Sequence, residues 1–325
     1  MLSEEIFSVQ NETEFRGLAL RVFKFQYQNN KVYKQFCELL NKNPNNVSSL
    51  QEIPFLPIEF FKSHKIVSTQ NSPEIIFTSS GTTGNQTSKH YVTDLSLYEK
   101  SFLTAFERFY GKPEEMVILA LLPSYLERTG SSLIFMADAL IKKSKQAESG
   151  FYLHNLDDLH KTLEKTEKAG KKTLLIGVSF ALLDLVERYK FNLKNTIVME
   201  TGGMKGRRKE MIRTELHEIL FKGFGVSVIH SEYGMTELLS QAYSYGEGIF
   251  ECPPWMKILI RDSEDALSLL PLNKTGGINV IDLANFNSCS FIATQDLGRN
   301  KARGKTEILG RFDHSDIRGC NLLIL

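Results

Sequence analysis

The sequence predicts an α/β fold in which mostly parallel sheets are covered by helices and a β-rich layer is attached. Between residues 116 and 229, nearly continuous apolar strands alternate with amphipathic helices, a pattern typical of parallel strands buried on both faces. After residue 245, short candidate strands follow one another with few helical patterns between them. The chain has 325 residues, 42% of them hydrophobic, which is enough for one large core or two smaller ones.

Charge and cysteine usage exclude several classes of function. The 39 basic and 38 acidic residues leave a net charge of +1, so no global charge favours nucleic acid or an anionic membrane. The main apolar runs, 116–122 and 173–186, are shorter or more interrupted than the roughly 20 residues that span a bilayer. The N-terminus lacks the pattern of a signal peptide. Four widely spaced cysteines argue against zinc and disulfides and predict a cytoplasmic protein: Cys37, Cys252, Cys289 and Cys320.

The N-terminal part, residues 1–70, is predicted to be mainly helical. Over 12–40, apolar side chains such as Phe15 and Leu18 recur at the spacing of one helix face. The two prolines of 53–58 exclude a regular helix, so this apolar segment is expected to be extended.

The α/β body is predicted over residues 71–245 and the β-rich part over 246–310. A strand at 75–77 and a return strand at 90–93 form a β-hairpin, and Asp94 or Ser96 caps the next helix. Further strands are expected at 116–122, 173–178, 196–199, 226–229, 249–252, 256–261, 276–282, 290–293 and 306–309. Helices are expected at 131–143, 157–169, 179–189 and 211–220.

The predicted hairpin encloses a loop rich in hydroxyl groups and glycine. Its residues are Thr78-Ser79-Ser80-Gly81-Thr82-Thr83-Gly84, with Lys89 five positions further on. Exposed backbone N–H groups, hydroxyls and one ammonium suit a polyphosphate. The same composition is typical of a solvated loop between two strands, and composition alone favours neither interpretation.

Three further polar stretches follow predicted strands, where open α/β sheets bind their ligands. Gly202 and Gly203 permit the close approach of a flat ligand, or form a simple turn. The segment Tyr233-Gly234-Met235-Thr236-Glu237 offers an aromatic face, a hydroxyl for a phosphate and a carboxylate for Mg²⁺. Alternatively, Glu237 lies in the first turn of a helix. Asp296 suits two ribose hydroxyls, or is an ordinary turn residue.

Together and in this order, the motifs resemble the adenylate-forming superfamily, which includes acyl-CoA synthetases, peptide-synthetase adenylation domains and luciferases. Residues 233–237 match its Y-G-x-T-E motif in full, and Gly310-Arg311-Phe312-Asp313 resembles its G-R-x-D hinge. The form of the loop at 79–84 is similar to that of the phenylacetate–CoA ligase branch. The resemblance implies a large adenylate-forming domain over residues 1–310, followed by a hinge and a short remnant at 311–325.

The end of the sequence departs from the superfamily pattern. Only twelve residues follow Asp313, so the small C-terminal domain, with its catalytic Lys, is expected to be truncated. In this respect the chain resembles the LuxE-type acyl-protein synthetases of the bacterial luminescence fatty-acid reductase, which pass an activated acyl group to a cysteine of their own near the C-terminus. Cys320 is the matching position. The residues leave open whether Cys320 is acylated or is a small buried hydrophobe in a last strand.

The resemblance implies ATP-dependent activation of a fatty acid or another carboxylate as acyl-AMP, with Mg²⁺ required and an acyl-acceptor or reductase protein as a possible partner. The implied catalytic residues are Thr236, Glu237, Lys89 and Cys320, with Glu237 holding the metal. The implied ATP-binding residues are those of 78–84 for the phosphates, Gly202, Gly203 and Tyr233 for adenine, Asp296 for ribose, and Arg311 for ribose or phosphate.

Two alternatives stay open at this point. A ligase with the same first step would load coenzyme A or the thiol of a carrier protein. A module that had lost its small domain would bind a nucleotide or a partner without catalysis.

Overall fold

The predicted α/β class is confirmed by the computed structural model, which describes residues 2–79, 87–122, 130–153, 155–202, 208 and 211–312. Within these residues a 12-stranded sheet runs through the molecule, and a separate two-stranded hairpin packs beside it. The sheet is parallel in its first half along the chain and antiparallel in its second half.

The N-terminal part contains helices α1 (Leu2–Ile6), α2 (Glu12–Asn29), α3 (Lys31–Leu39) and α4 (Phe60–Ser63), with strand β1 (Leu56–Pro57) before α4. The single helical region predicted over 12–40 is broken at Asn30. The Asn30 side chain accepts from the backbone of Tyr33 and donates to Ser68 and to the Ser288 carbonyl. This buried side chain therefore ends α2, caps α3 and ties both helices to the sheet.

The predicted hairpin is confirmed as β2 (Ile75–Thr78) and β3 (Lys89–Val92), in which Thr78 pairs with Lys89. Helix α5 (Leu95–Tyr110) follows, and Asp94 caps it by accepting from the Ser96 backbone. The tip of the hairpin, residues 80–86, lies outside the described residues.

The parallel half of the sheet follows the predicted alternation of strands and helices, but the strand predicted at 226–229 is misplaced: it begins at Ile229 and continues to Tyr233. Its elements are β4 (Val117–Leu121), α6 (Ser132–Ser144), β5 (Gly150–Tyr152), α7 (Leu156–Lys168), β6 (Thr173–Val178), α8 (Ser179–Arg188), β7 (Thr196–Thr201), α9 (Arg213–Phe224) and β8 (Ile229–Tyr233). The strand order is β5–β4–β6–β7–β8. All residues of β4 and β6 are buried, as their apolar runs predict. Strand β5 was not predicted, because its short, partly exposed sequence carries no such run.

The β-rich part continues the same sheet and does not form a separate one. Its strands are β9 (Ala242–Ser244), β10 (Ile249–Glu251), β11 (Met256–Arg261), β12 (Thr275–Asp282), β13 (Phe291–Asn300) and β14 (Thr306–Arg311). From β8 onward the order is β9–β10–β14–β13–β12–β11, and β1 pairs in parallel with β13. This arrangement brings β13 and β14 toward the carboxyl end of β8.

Helix α5 covers the β8–β9 region of the sheet. The Tyr110 ring lies 5.3 Å from the Tyr243 ring, and Ser101 hydrogen-bonds Ser240 at 2.9 Å. Among the described residues, no helix has both the length and the apolar character needed to cross a bilayer.

Candidate active site

The base of the β2–β3 hairpin is held in place by backbone hydrogen bonds. Thr78 N–H donates to the Gly130 carbonyl at 2.8 Å, and Ser79 N–H donates to the Ser88 carbonyl at 3.1 Å. Ser88 N–H donates in turn to the Ser79 hydroxyl at 2.9 Å. Lys89 is exposed at the start of β3. Of the predicted phosphate-binding residues, Ser80, Gly81, Thr82, Thr83 and Gly84 lie outside the described part of the chain.

His90 joins this hairpin to the Y-G-x-T-E motif. Its Nδ1 lies 2.8 Å from the Thr236 carbonyl oxygen, and its Nε2 lies 3.0 Å from Asn285 Oδ1. Because a carbonyl only accepts, Nδ1 carries a proton. Asn285 Nδ2 donates to the Glu237 carbonyl at 2.8 Å and to the Cys289 carbonyl at 2.9 Å. The buried His90–Asn285 pair therefore fixes the backbone of Thr236 and Glu237 against the hairpin.

Burial lowers the pKa of His90 to about 4, although the bonds to Thr236 and Asn285 act in the opposite direction. His90 was not predicted from the sequence. The sequence shows only a histidine at an inward-facing position of a short strand. That position alone does not indicate a contact with the Y-G-x-T-E motif.

The Y-G-x-T-E motif forms a turn between β8 and β9. Leu238 N–H donates to the Met235 carbonyl at 3.2 Å, and the chain enters β9 at Ala242. The alternative in which Glu237 begins a helix is therefore wrong. Asp282 stabilises the segment after the turn by accepting from the backbones of Leu239 and Ser240 at 2.8 and 3.0 Å.

Glu237 is a buried carboxylate that meets the hairpin at Ser88. Burial raises the pKa of Glu237, the Ser88 hydrogen bond and the charge of Arg311 lower it, and the charge of Asp296 raises it again. A carboxylate under these influences favours a nearby cation. Its position beside the predicted phosphate loop is consistent with the metal role that the resemblance implies.

Tyr233 and Asp296 meet directly, although they are 63 residues apart in the chain. Tyr233 donates its hydroxyl hydrogen to Asp296 Oδ2 at 2.7 Å, and Arg311 Nε lies 3.8 Å from Asp296 Oδ1. Burial raises the pKa of Asp296, and the Tyr233 bond with the charges of Arg311 and Arg261 opposes that rise. The predicted adenine and ribose residues are thus brought together.

Asp296 was expected at a strand end, and this placement is wrong. Strand β13 runs on to Asn300, so Asp296 lies inside it and pairs with Arg311 of β14. The strand was predicted to end at Ala293 because the residues after it are polar. Pairing with β14 keeps this polar second half of β13 extended.

Arg261 binds the backbone of β13 close to Asp296, a role that was not predicted from the sequence. Its guanidinium donates to the Asn279 side chain at 2.9 Å and to the Thr294 carbonyl at 2.6 Å. A Cβ on Gly277 would lie 2.5 Å from Arg261 Cζ, so glycine here leaves space for the guanidinium in this position. The glycine pair inside a predicted strand, at 276 and 277, was the signal of this close approach.

Gly202 follows β7 with a φ of +69°, and its carbonyl accepts from the Ser179 hydroxyl at 2.7 Å. This left-handed backbone favours glycine. Gly202 is exposed at the carboxyl end of the sheet, as predicted. Gly203 lies outside the described residues.

Glu200 is buried on the sheet face opposite α5, where Arg213 and His217 compensate its charge. Arg213 Nε and His217 Nε2 lie 3.4 and 3.5 Å from Glu200 Oε1. Burial raises the pKa of Glu200, but the His217 bond and the Arg213 charge outweigh it and hold the pKa below its ordinary value. Ser231 also contacts His217 Nε2, at 3.5 Å. Since Ser231 is fully buried and shares one ring nitrogen with Glu200, the group is not a nucleophilic triad.

We expect Arg213→Met to lower the free energy of unfolding by about 3 kcal/mol, because it leaves the buried Glu200 carboxylate without its main cation. Urea unfolding at pH 7 measures this loss. The double variant with Glu200→Gln should regain a large part of it. An equal loss in the presence and absence of Glu200 would show that Arg213 acts only through its contacts with Ile308 and Phe250.

A second buried carboxyl, Glu232, lies at the end of β8. Thr201 donates its hydroxyl hydrogen to Glu232 Oε2. Burial raises the pKa of Glu232 to about 7; the Thr201 bond lowers it and the neighbouring Glu200 charge raises it. This carboxyl is therefore partly protonated at neutral pH.

Because the pKa of Glu232 is raised in the folded state, we expect the free energy of unfolding to fall as the pH rises. A carboxyl with a folded pKa of about 7 and an unfolded pKa of about 4.5 contributes most stability below about pH 4.5 and loses it as the pH rises through 7. We expect this group to remove about 2–3 kcal/mol from the free energy of unfolding between pH 5 and pH 8. Urea unfolding across this range should show the loss, and Glu232→Gln should flatten it. The same slope in both proteins would contradict the assignment.

The cysteines of the described region are not suited to nucleophilic attack. Burial raises the pKa of Cys37 and Cys252 to about 12 and also raises that of Cys289. Their thiolate fractions at neutral pH are therefore negligible. Cys320, the predicted acyl acceptor, lies outside the described residues.

The described residues contain no cluster of three or more His, Cys, Asp or Glu side chains able to hold a metal ion. Mg²⁺ commonly binds through one or two carboxylates together with phosphate oxygens. Glu237 fits that kind of site as a single protein ligand completed by a nucleotide.

The chain resembles known proteins in both sequence and fold. Residues 3–98 match the family model described as acyl-protein synthetase, LuxE. The long-chain-fatty-acid–luciferin-component ligase of Vibrio harveyi is 23% identical over 349 positions, covering 97% of this chain and 88% of the relative. The Photorhabdus luminescens ligase of the same name is 34% identical over 70 residues, covering 21% of this chain and 60% of the relative. The predicted resemblance to LuxE-type acyl-protein synthetases is confirmed.

The fold of this chain is similar to those of two solved structures. ATP-bound MatB from Rhodopseudomonas palustris superposes with a TM-score of 0.55 at 20% identity, covering 73% of this chain and 47% of MatB. This chain thus spans about half the length of MatB. A 2-hydroxyisobutyryl-CoA ligase with 2-HIB-AMP and CoA gives a TM-score of 0.67 at 11% identity, covering 94% of this chain and 72% of the ligase.

The described residues of the predicted site lie close together in the structure. Tyr233 contacts Asp296, Arg311 approaches Asp296, and His90 links Thr236 to the strand that begins at Lys89. The nucleotide roles of these residues remain predictions.

Proposed function

We propose that this chain is an ATP-dependent ligase that activates a fatty acid or another carboxylate as acyl-AMP and passes the acyl group to a protein cysteine. One observation carries the proposal. The motif at 233–237 is joined to the predicted phosphate hairpin through His90 and to Asp296 through Tyr233. Groups suited to phosphate, base and ribose therefore converge. The likeness to LuxE-type ligases in sequence, and to an ATP-bound structure in fold, supports the same function.

In the first step, a carboxylate oxygen of the substrate attacks the α-phosphorus of ATP. The bond from that phosphorus to the α,β-bridging oxygen breaks, and pyrophosphate leaves with its electron pair. The reaction needs positioning and charge neutralisation more than a protein nucleophile. Lys89 and the hydroxyl-rich loop at 78–84 would hold the leaving phosphates, and the Thr236 hydroxyl would bind the α-phosphate. Mg²⁺, held by Glu237, would supply further neutralisation of phosphate charge.

The nucleoside is assigned to the other side of the motif. Asp296 Oδ2 accepts from Tyr233, which leaves Oδ1 for a ribose hydroxyl. Arg311, whose side chain is 88% exposed, is free to turn toward ribose or phosphate. The adenine ring would lie between the Tyr233 side and Gly202 with Gly203. Tyr233 thereby both flanks the base and orients the ribose acceptor.

In the second step, a thiolate attacks the carbonyl carbon of acyl-AMP, and AMP leaves with the electron pair of the broken C–O bond. We assign the thiolate to Cys320, on the basis of its position in the sequence. Of the described cysteines, Cys37 and Cys289 are buried and Cys252 is partly buried, and all three have raised pKa values, so they do not compete for this role.

Carboxylate-dependent exchange between ATP and pyrophosphate tests the first step. We expect exchange with at least one carboxylic acid of a panel that spans chain lengths, and no exchange with any member would remove the activity. Intact mass after incubation with acid and ATP tests the second step. An acyl adduct that persists in Cys320→Ser would exclude Cys320. Thioester formation only after addition of coenzyme A or a carrier protein would select the alternative acceptor.

A further inference from the structure

A buried patch of three polar side chains lies on the α5 face of the β8–β9 pair. It consists of Glu232, Gln241 and Tyr243, which we call the polar patch. Glu232 and Tyr243 are directly opposed across the two strands, so their side chains share one face of the sheet. A Cβ on Gly234 would lie 2.5 Å from Glu232 Oε1 and 3.3 Å from Gln241 Cγ. Glu232 and Gln241 therefore border the same point beside Gly234.

Two atoms of the polar patch are buried without a hydrogen-bond partner. Within the described residues, neither Gln241 Oε1 nor the Tyr243 hydroxyl has one, although these residues are only 4% and 1% exposed. Neighbouring tyrosines on α5 are satisfied: Tyr98 donates to the Ser132 carbonyl at 2.9 Å, and Tyr110 contacts His230 at 3.3 Å. Buried polar atoms are nearly always paired in native proteins, so these two atoms on one face are available to a ligand or to an ordered water.

The polar patch adjoins the candidate active site on the side opposite to the nucleoside residues. Successive strand residues point to opposite faces, so Glu232 faces α5 while Tyr233 faces Asp296. Thr201, the residue before Gly202, donates to Glu232. The charge of Glu232 helps to raise the pKa of Tyr98, so the two side chains are close. The centre of the Tyr98 ring lies 5.3 Å from the centre of the Phe77 ring, at the base of the hairpin. The patch is thus bordered by the strand end, the hairpin and α5.

We propose that the polar patch binds a hydrogen-bond donor, a hydroxyl or an amino group, on the carboxylic acid that the enzyme activates. The inference rests on the proposed function and names its substrate class: a substituted carboxylic acid, in place of an unsubstituted alkyl chain. In an in-line displacement the attacking carboxylate approaches opposite the departing pyrophosphate, and the residues assigned to ribose do not lie on the α5 face.

The chemistry of the three side chains specifies a donor. Gln241 Oε1 only accepts, and the second oxygen of Glu232 accepts when ionised. The Tyr243 hydroxyl both donates and accepts, so it bonds a hydroxyl in either direction. An unsubstituted alkyl chain would satisfy none of the three and would keep water from them. Sites with buried polar groups reject an analogue that lacks the matching group, because those groups stay unpaired.

The test is ATP–pyrophosphate exchange with pairs of acids of equal chain length. Each unsubstituted acid is compared with analogues that carry a hydroxyl or an amino group at carbon 2, carbon 3 or the chain end. We expect at least one donor-bearing acid to exceed its unsubstituted partner about 10- to 100-fold in kcat/KM. Tyr243→Phe and Gln241→Leu should each reduce that ratio. Tyr33→Phe, which removes a hydroxyl bonded to the Pro54 carbonyl at 2.7 Å, is the matched control and should leave the ratio unchanged.

Thermal unfolding supplies a readout that is independent of activity. Tyr243→Phe should keep or raise Tm, because its hydroxyl has no partner to lose, whereas Tyr33→Phe should lower Tm by a few degrees.

Three results would overturn the inference while leaving the proposed function in place. They are a preference for unsubstituted acids, an unchanged ratio in Tyr243→Phe, and a fall in Tm as large for Tyr243→Phe as for Tyr33→Phe. Exchange with hydroxyl but not amino analogues, or the reverse, identifies which donor binds. Absence of exchange with every acid overturns the proposed function and the inference with it.

Discussion

Glu237→Gln is expected to lower carboxylate-dependent ATP–pyrophosphate exchange by about 100-fold or more, with the fold intact. The substitution keeps the shape of the side chain and its reach to Ser88, but removes the charge proposed to hold Mg²⁺. Because burial already disfavours the ionised carboxylate, the amide should not lower the free energy of unfolding. Exchange kinetics and urea unfolding on the same preparations measure both effects.

Raising the Mg²⁺ concentration provides the control for this variant. If Glu237 holds the metal, the Gln variant should need more Mg²⁺ for half-maximal exchange than the wild type does. Glu251→Gln removes the charge of a β10 carboxylate that pairs with Lys305, and it should change neither quantity. Wild-type exchange in Glu237→Gln would exclude a metal role.

His90→Leu is expected to lower both stability and activity, since it removes the link between the hairpin and the motif. The change leaves the Thr236 carbonyl without its donor in a buried region and removes the contact between His90 Nε2 and Asn285. An unpaired buried group costs about 1–3 kcal/mol, so we expect a loss of about 2 kcal/mol in the free energy of unfolding. Loss of alignment between Lys89 and Thr236 should also reduce kcat/KM for ATP by about 100-fold.

A double-mutant cycle with Asn285→Ala separates alignment from stability. Because both residues belong to one link, their effects on kcat/KM should be strongly non-additive. His64→Leu, at an exposed histidine of the N-terminal part, serves as the matched control and should leave both quantities nearly unchanged. Reduced stability with unchanged kcat/KM in His90→Leu, measured below the unfolding temperature, would show that the link does not align the site.

Local sequence patterns predicted the α/β class because its signals are short-range. The apolar runs of β4 and β6 specify fully buried strands, and Asp94 caps α5 as its type suggests. The hairpin was predictable from two apolar segments around a glycine-rich loop. By contrast, the break at Asn30 depends on Ser68 and Ser288, which contact it only in the folded chain.

The candidate site was predictable in its residue types but not in its internal contacts. The motif at 233–237 and Asp296 were identified from the sequence, whereas the bond from Tyr233 to Asp296 was not. His90 and Arg261 were missed because their contacts join segments that are far apart in the chain. The polar half of β13 was not predicted for the same reason. Hydrophobic periodicity does not identify a strand whose extended form depends on pairing with a neighbouring strand.

Transfer of an oxygen isotope tests the central claim most directly. With a substrate carboxylate labelled with ¹⁸O, attack on the α-phosphorus places one labelled oxygen in the AMP released after acyl transfer. We predict AMP that carries one ¹⁸O and pyrophosphate that carries none. Formation of ADP and phosphate, or of AMP without label, would contradict activation of the carboxylate as acyl-AMP.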